Sequence, residues 1–176
     1  TAFADSITGS AAANTIYGGG GSDVINGLGG NDILQVDGGT LNGGDGADTL
    51  YYGEIMNGGA GNDLLYTSLL QNRMTGGTGA DKFIFSSGND SPPDFFDKIT
   101  DFNRIEGDKI DLRNVSPAAT FIGNAAYTSF VGSSQVRVSS GAGFQIVEAD
   151  VTGDRISDFH LEITGSTPLV ATDFIL

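Results

Sequence analysis

The sequence predicts an all-β chain: a parallel β-roll over residues 1–85, capped over residues 86–176 by an antiparallel β-sandwich. Three observations carry that expectation. A nine-residue beat of glycine and aspartate begins near the N-terminus and fades after Phe83. One large apolar residue falls at a fixed place in each beat. Beyond Phe83 the beat stops, and short alternating strands separated by Gly- and Ser-rich turns take over.

The beat is clearest in Gly43-Gly44-Asp45-Gly46-Ala47-Asp48-Thr49-Leu50-Tyr51, in Gly58-Gly59-Ala60-Gly61-Asn62-Asp63-Leu64-Leu65-Tyr66 and in Gly76-Gly77-Thr78-Gly79-Ala80-Asp81-Lys82-Phe83-Ile84. Two looser copies precede them, at Gly18 to Asn26 and Gly27 to Gln35. The pattern G-G-x-G-x-D-x-U-x, with U large and apolar, is the signature of a calcium-binding parallel β-roll. The triplet x-U-x makes a short strand with U inward and its neighbours outward. The six residues before it make the turn, in which glycine reaches backbone conformations closed to other residues.

Stacking such turns brings aspartates to about the strand spacing of 4.8 Å. A like-charge pair at that distance repels by about 3.5 kcal/mol at an effective dielectric of 20. A hard divalent cation removes the repulsion, because Ca²⁺ takes carbonyl and carboxylate oxygens together. The expected cofactor is therefore Ca²⁺, about four or five ions, with metal binding forming part of the folding free energy.

The inward column reads Ile7, Ile16, Ile25, Leu34, Leu41, Leu50, Met56, Leu65, Met74 and Phe83. Successive members alternate between two sheets, so the turns alternate between two edges. One edge receives the turns ending at Asp32, Asp48, Asp63 and Asp81. The other receives the turn ending at Asp23 and then three degenerate half-turns, Val36 to Asn42, Tyr52 to Asn57 and Thr67 to Thr75. Calcium is expected along the first edge, with at most one site, Asp5 with Asp23, on the second. Asn14 stands where the first turn should carry its aspartate, so no site is assigned between it and Asp32.

The outer faces should differ as well. One sheet exposes Tyr17, Ile33, Tyr51, Leu64, Tyr66 and Ile84; its partner exposes Ser6, Thr8, Asn26, Thr40, Asn42, Asn57, Arg73 and Thr75. The second face reads as solvated. The first is apolar enough to be covered, and packing by the C-terminal half is favoured over a sugar-stacking tyrosine ladder.

Composition narrows the function. Eight basic residues against 22 acidic give a formal charge of −14, the opposite of a nucleic-acid footprint. No apolar run reaches transmembrane length, and no N-terminal signal peptide is evident. Cysteine is absent, which excludes disulfides and thiol chemistry. Thr1 opens directly into a degenerate repeat, as a piece of a longer protein would. A secreted protein stabilised by extracellular calcium fits these facts.

After Phe83, Phe85 to Leu112 is rich in Phe, Ile and Asp, with a loop at Pro92-Pro93. Strands are expected at Thr128 to Val131, Gln135 to Ser139, Phe144 to Glu148, Asp158 to Thr164 and Phe174 to Leu176, closing the open end of the roll. Four stretches here carry a family resemblance: Asp81-Lys82-Phe83-Ile84-Phe85, Asp90-Ser91, Asp97-Lys98-Ile99-Thr100-Asp101-Phe102 and Gly107-Asp108-Lys109-Ile110-Asp111-Leu112. They resemble the C-terminal domain of serralysin-type (M10) secreted metalloproteases, an RTX domain type similar to the R-modules of alginate epimerases and to the RTX ends of some lipases and adhesins.

The resemblance implies calcium binding and export by type I ABC-transporter secretion machinery, as a module attached to an upstream catalytic or adhesive domain. It implies a ligand set of turn carbonyls and carboxylates: Gly27, Gly29, Gly30 and Asp32; Gly43, Gly44, Asp45, Gly46 and Asp48; Gly58, Gly59, Ala60, Gly61 and Asp63; Gly76, Gly77, Thr78, Gly79 and Asp81. It also implies a last site closed by Asp90 and Asp97. Asp173-Phe174-Ile175-Leu176 resembles the family's uncleaved secretion signal, and also suits an edge strand. The stretch from Asp150 to Phe159 resembles an EF-hand loop, but Thr152 and Arg155 replace the oxygen-rich residue and the turn glycine, so a plain hairpin turn is expected.

No catalytic constellation emerges. The H-E-x-x-H motif is missing, and the single histidine, His160, sits between Phe159 and Leu161 in an expected strand. Calcium stacking accounts for the carboxylates without paired-acid chemistry. Two functions remain: a calcium-triggered folding and secretion module, and a polysaccharide- or surface-binding module using the Tyr17/Tyr51/Tyr66 face.

Overall fold

The computed structural model describes residues 2–128, 133–165 and 167–176. Five short strands alternate with five others as the chain coils. The first set is β1 (Ser6–Ser10), β3 (Asp23–Gly29), β5 (Gly39–Asp45), β7 (Ile55–Ala60) and β9 (Arg73–Thr78). The second is β2 (Thr15–Tyr17), β4 (Ile33–Gln35), β6 (Thr49–Tyr51), β8 (Leu64–Tyr66) and β10 (Lys82–Ile84). Then follow β11 (Asp97–Ile99), β12 (Lys109–Asp111), β13 (Thr120–Phe121), β14 (Gln135–Ser140), β15 (Phe144–Asp150), β16 (Phe159–Thr164) and β17 (Phe174–Ile175).

These strands form two sheets. The ten-stranded sheet runs β1-β3-β5-β7-β9-β11-β16-β15-β14-β13, and the seven-stranded sheet runs β2-β4-β6-β8-β10-β12-β17. Within the coil every pairing is parallel and in register: Leu41 lies beside Met56 and Met56 beside Met74, while Leu50 lies beside Leu65 and Leu65 beside Phe83. The expected inward column is therefore the core. Ile25, Leu34, Leu41, Leu50, Met56, Leu65, Met74 and Phe83 are all fully buried, whereas Ile7 and Ile16, on the end strands, are partly so.

The coil outlasts its motif. β11 continues the ten-stranded sheet beside β9, and β12 continues the other beside β10, burying Ile99 and Ile110 in the same column. Long turns separate these strands, so the nine-residue period vanishes from the sequence while the pairing persists.

The C-terminal strands were expected as a sandwich of their own; instead they extend the two sheets of the roll. β14, β15 and β16 are antiparallel to one another, and β16 then pairs parallel with β11. β17 pairs parallel with β12. The expected strand at Thr128 to Val131 falls largely on residues 129–131, outside the described residues. Val136, Val147, Ala149, Phe159 and Leu161 bury the end of the roll, with Phe159 set edge-on to Phe85 at 5.1 Å.

The outer faces differ as expected, with one correction. The polar face carries an amide ladder: Asn57 Nδ2 donates to Asn42 Oδ1 at 2.7 Å, and Asn42 Nδ2 to Asn26 Oδ1 at 2.8 Å. On the apolar face, Ile84 is buried, but Tyr17 is 64% and Ile33 41% exposed. Because the C-terminal strands add beyond β9 and β10, they leave this end of the face open rather than covering it. Tyr51 and Tyr66 stack on each other at 4.6 Å, so each turns a ring face to its neighbour.

Leu50 sits at the centre of the column. Leu50→Ala should lower stability by about 2–5 kcal/mol in urea unfolding with saturating calcium, and exposed Ile33→Thr by no more than about 0.5 kcal/mol. Equal losses at the two positions would contradict this placement of the core.

Candidate metal-binding rims

Turns passing from the ten-stranded to the seven-stranded sheet end at Asn14, Asp32, Asp48, Asp63, Asp81 and Asp108. Their side chains build a ladder down one rim. Asp32 Oδ1 accepts the backbone N–H of Asn14 at 2.7 Å, and Asp48 Oδ1 that of Asp32 at 2.7 Å. Asp63 Oδ1 accepts from Asp48 at 2.8 Å, Asp81 Oδ1 from Asp63 at 2.9 Å, and Asp108 Oδ1 from Asp81 at 3.0 Å. One carboxylate oxygen per turn is thus committed to registering the turn before it.

The other oxygen is not. Among the described residues, Oδ2 of Asp23, Asp32, Asp48, Asp63, Asp81 and Asp97 is buried without a hydrogen-bond partner. Leaving a buried carboxylate oxygen unpaired is costly, and native structures rarely do so without an ion or a water. The surroundings explain what fits. A Cβ built on Gly27, Gly43, Gly58 or Gly76 would fall on the Oδ2 of Asp32, Asp48, Asp63 or Asp81 respectively. At Gly27 it would also stand 2.6 Å from the Gly43 carbonyl oxygen, at Gly43 2.5 Å from that of Gly58, and at Gly58 2.5 Å from that of Gly76. Glycine keeps a small space open between a carboxylate oxygen and the next turn's carbonyl.

The remaining candidate ligands line the same rim. Gly29, Asp45, Ala60 and Thr78 pair in series along the ladders of β3, β5, β7 and β9. Ala60 and Thr78 carbonyls each accept one inter-turn N–H, from Gly46 at 2.7 Å and Gly61 at 2.8 Å, which leaves each a second lone pair. Gly30, Gly44, Gly46, Gly59 and Gly61 present carbonyls close under the following turn, at Gly46, Gly59, Gly61, Gly77 and Gly79. Among the described residues no three His, Cys, Asp or Glu side chains gather at one point. A cation here would be held by single carboxylates and backbone carbonyls, an all-oxygen set that suits Ca²⁺.

The second rim is sparser. Asp23 Oδ1 accepts the N–H of Asp5 at 2.8 Å, which brings these two together as expected. Asp97 Oδ1 accepts the N–H of Asn72 at 2.7 Å. Asp90 is pinned nearby, its Oδ2 taking the Thr67 hydroxyl at 2.9 Å and the N–H groups of Ser86 and Ser87 at 2.7 and 3.1 Å.

Burial has an electrostatic consequence. It pushes the Asp63 carboxyl up to about 7, Asp81 to about 6 and Asp97 to about 8, against the ordinary 3.8. The rung N–H bonds pull the other way and do not offset it. Asp48 and Asp108 are raised by burial too.

Several rim residues escape the repeat-based reading. Asp108 is the last rung, although Asp108-Lys109-Ile110-Asp111 repeats the Asp81-Lys82-Phe83-Ile84 pattern. Asp101 takes the N–H groups of Gly76 and Gly77 at 2.9 and 2.8 Å, and Glu106 takes that of Gly79 at 3.1 Å. The Asp150 loop is a hairpin turn as expected: both Asp150 oxygens accept backbone N–H groups, from Gly153 and Arg155. At Asn14, the side-chain Oδ1 takes the Ser10 N–H at 2.7 Å, so that turn closes on itself.

The sequence profile of the family described as Peptidase M10 serralysin C terminal matches residues 4–176. No curated protein sequence matches the chain. Two solution structures of subunits from the Azotobacter vinelandii mannuronan C5-epimerase are similar. AlgE6R3 is 24% identical over 99% of this chain and 80% of its own, with a TM-score of 0.44. AlgE6R2 is 27% identical over 98% and 88%, with a TM-score of 0.42.

Because these folded carboxyls titrate above the unfolded value, the metal-free folded chain binds more protons than the unfolded chain between about pH 4 and 8. Its stability in chelator should therefore fall as pH rises from 4 to 8, while calcium affinity rises over the same window. Urea midpoints and calcium titrations at pH 5 and 7.5 check both trends; parallel trends would contradict the rung assignment. Leu28 holds a left-handed φ of 80° where Gly44, Gly59 and Gly77 stand in later turns. Leu28→Gly should raise the thermal midpoint, by relief of about 1–2 kcal/mol of strain less about 0.5–1 kcal/mol of glycine entropy.

Proposed function

The chain belongs to the serralysin C-terminal family of peptidase M10, and on that footing we propose that it is a calcium-binding module that folds on meeting extracellular Ca²⁺ and directs type I export of a larger secreted protein. One observation carries the reading: among the described residues six aspartates each bury an unpartnered Oδ2, and at five of them, Asp23, Asp32, Asp48, Asp63 and Asp81, a glycine keeps the space beside that oxygen open. Asp32, Asp48, Asp63 and Asp81 would hold ions along the main rim, and Asp23 and Asp97 on the other. Bound cations supply positive charge and complete the coordination of the carbonyls.

The chain's own residues do the rest. In the folded coil the rung N–H bonds fix each carboxylate's direction, and the glycines keep side chains out of the space. Residues 1–85 would act as the calcium-responsive coil, and residues 86–176 as the end that closes the core and carries the export determinant. With calcium scarce, burial of the rung carboxylates opposes folding, and an unfolded chain suits passage through a narrow exporter. No helix among the described residues is long and apolar enough to cross a membrane.

Circular dichroism and calorimetry test the proposal directly. In excess chelator at pH 7.5 the chain should lose most β signal, and calcium should restore it with about four or five ions bound. Asp63→Asn should remove an ion and lower the midpoint calcium affinity. Full cooperative structure in excess chelator would overturn the reading.

A further inference from the structure

The turn spanning residues 101–108 leads into β12, which lies between β10 and β17, and it touches the segments before both of those strands. On one side it closes the last glycine–aspartate turn: Asp101 takes the N–H groups of Gly76 and Gly77, Glu106 that of Gly79, and Asp108 that of Asp81. On the other it grips the C-terminus. Arg104 Nε donates to Asp173 Oδ1 at 2.6 Å and Nη2 to Asp173 Oδ2 at 2.5 Å, while Nη2 also reaches the Pro168 carbonyl at 2.6 Å. Asp173 is fully buried, so this guanidinium is what makes its charge tolerable there. Asp173 in turn accepts the Val170 N–H, and Lys109 Nζ bonds the Thr172 carbonyl. Together they seat β17 beside β12 with Phe174 buried.

We propose that this turn is a calcium-operated latch on the C-terminal strand. Asp101, Glu106 and Asp108 dock on the loop that carries Asp81 through its backbone N–H groups, and without an ion the like charge of these acids and Asp81 opposes that docking; a cation held beside Asp81 cancels the repulsion. With the turn docked, Arg104 meets Asp173 and residues 168–176 are sealed into the sheet. With the turn released, they are exposed. The proposal rests on the calcium reading above, and it deepens it: any machinery that recognises the C-terminal end meets it only in the ion-free chain.

Hydrogen–deuterium exchange on the whole chain tests this, comparing residues 23–66 with residues 168–176 in calcium chloride and in EGTA. In calcium, Arg104→Gln should leave 23–66 protected as in the unmodified chain while 168–176 exchange at least tenfold faster. Asp81→Asn in calcium should do the same to 168–176. If Arg104→Gln leaves 168–176 as protected as before, or if 168–176 stay protected in EGTA while 23–66 open, the latch is wrong and the calcium reading survives. If 23–66 are equally protected in EGTA and calcium, the calcium reading fails and takes the latch with it.

Discussion

From Asp32 to Asp108 each successive coil of this chain buries one carboxylate at its rim, and the rest of the structure is arranged around that burden. A carboxylate removed from water without a counter-charge is strongly unfavourable, and half of each one here is already committed to a rung N–H. Two outcomes relieve it, a proton or a cation. Burial raises the carboxyls of Asp63, Asp81 and Asp97 toward the first; the space kept open by glycine would admit the second. On the proposed reading the rim makes folding conditional, in contrast to the column of Leu, Met and Phe, which is unconditional.

The division of labour between strand and turn follows. The three-residue strands β4, β6 and β8 bury one apolar side chain each, too little to hold a coil by themselves. The turn supplies register through the rung bonds, because a slip of one residue would send the column outward and break the rungs together. Where the beat ends, Asp108 supplies the last rung, while Asp101 takes the Gly76 and Gly77 N–H groups and Glu106 takes that of Gly79, as the Thr78 carbonyl takes that of Gly61 one turn earlier. Side chains thereby finish what backbone began.

Much of this was legible in the sequence because the beat fixes both the inward residue and the rung at constant places. Leu34, Leu50, Leu65 and Phe83 belong to one sheet and Ile25, Leu41, Met56 and Met74 to the other, as the alternation requires. The continuation was harder to see. Thirteen positions separate Ile84 from Asp97, and the pairing that follows joins Ile99 to Ile163 and Ile110 to Phe174, partners no local period connects. The same distance hid the Arg104–Asp173 pair, which spans 69 residues. The open end of the tyrosine face was misjudged because apolar composition marks a surface that could be covered, not where the covering chain goes.

The strands lie across the long axis, with β1 and β2 at one extremity and β17 at the edge of the other. The ladders therefore stand in series between those extremities, and fraying from either one exposes a single strand pair at a time while the pairs further in stay closed.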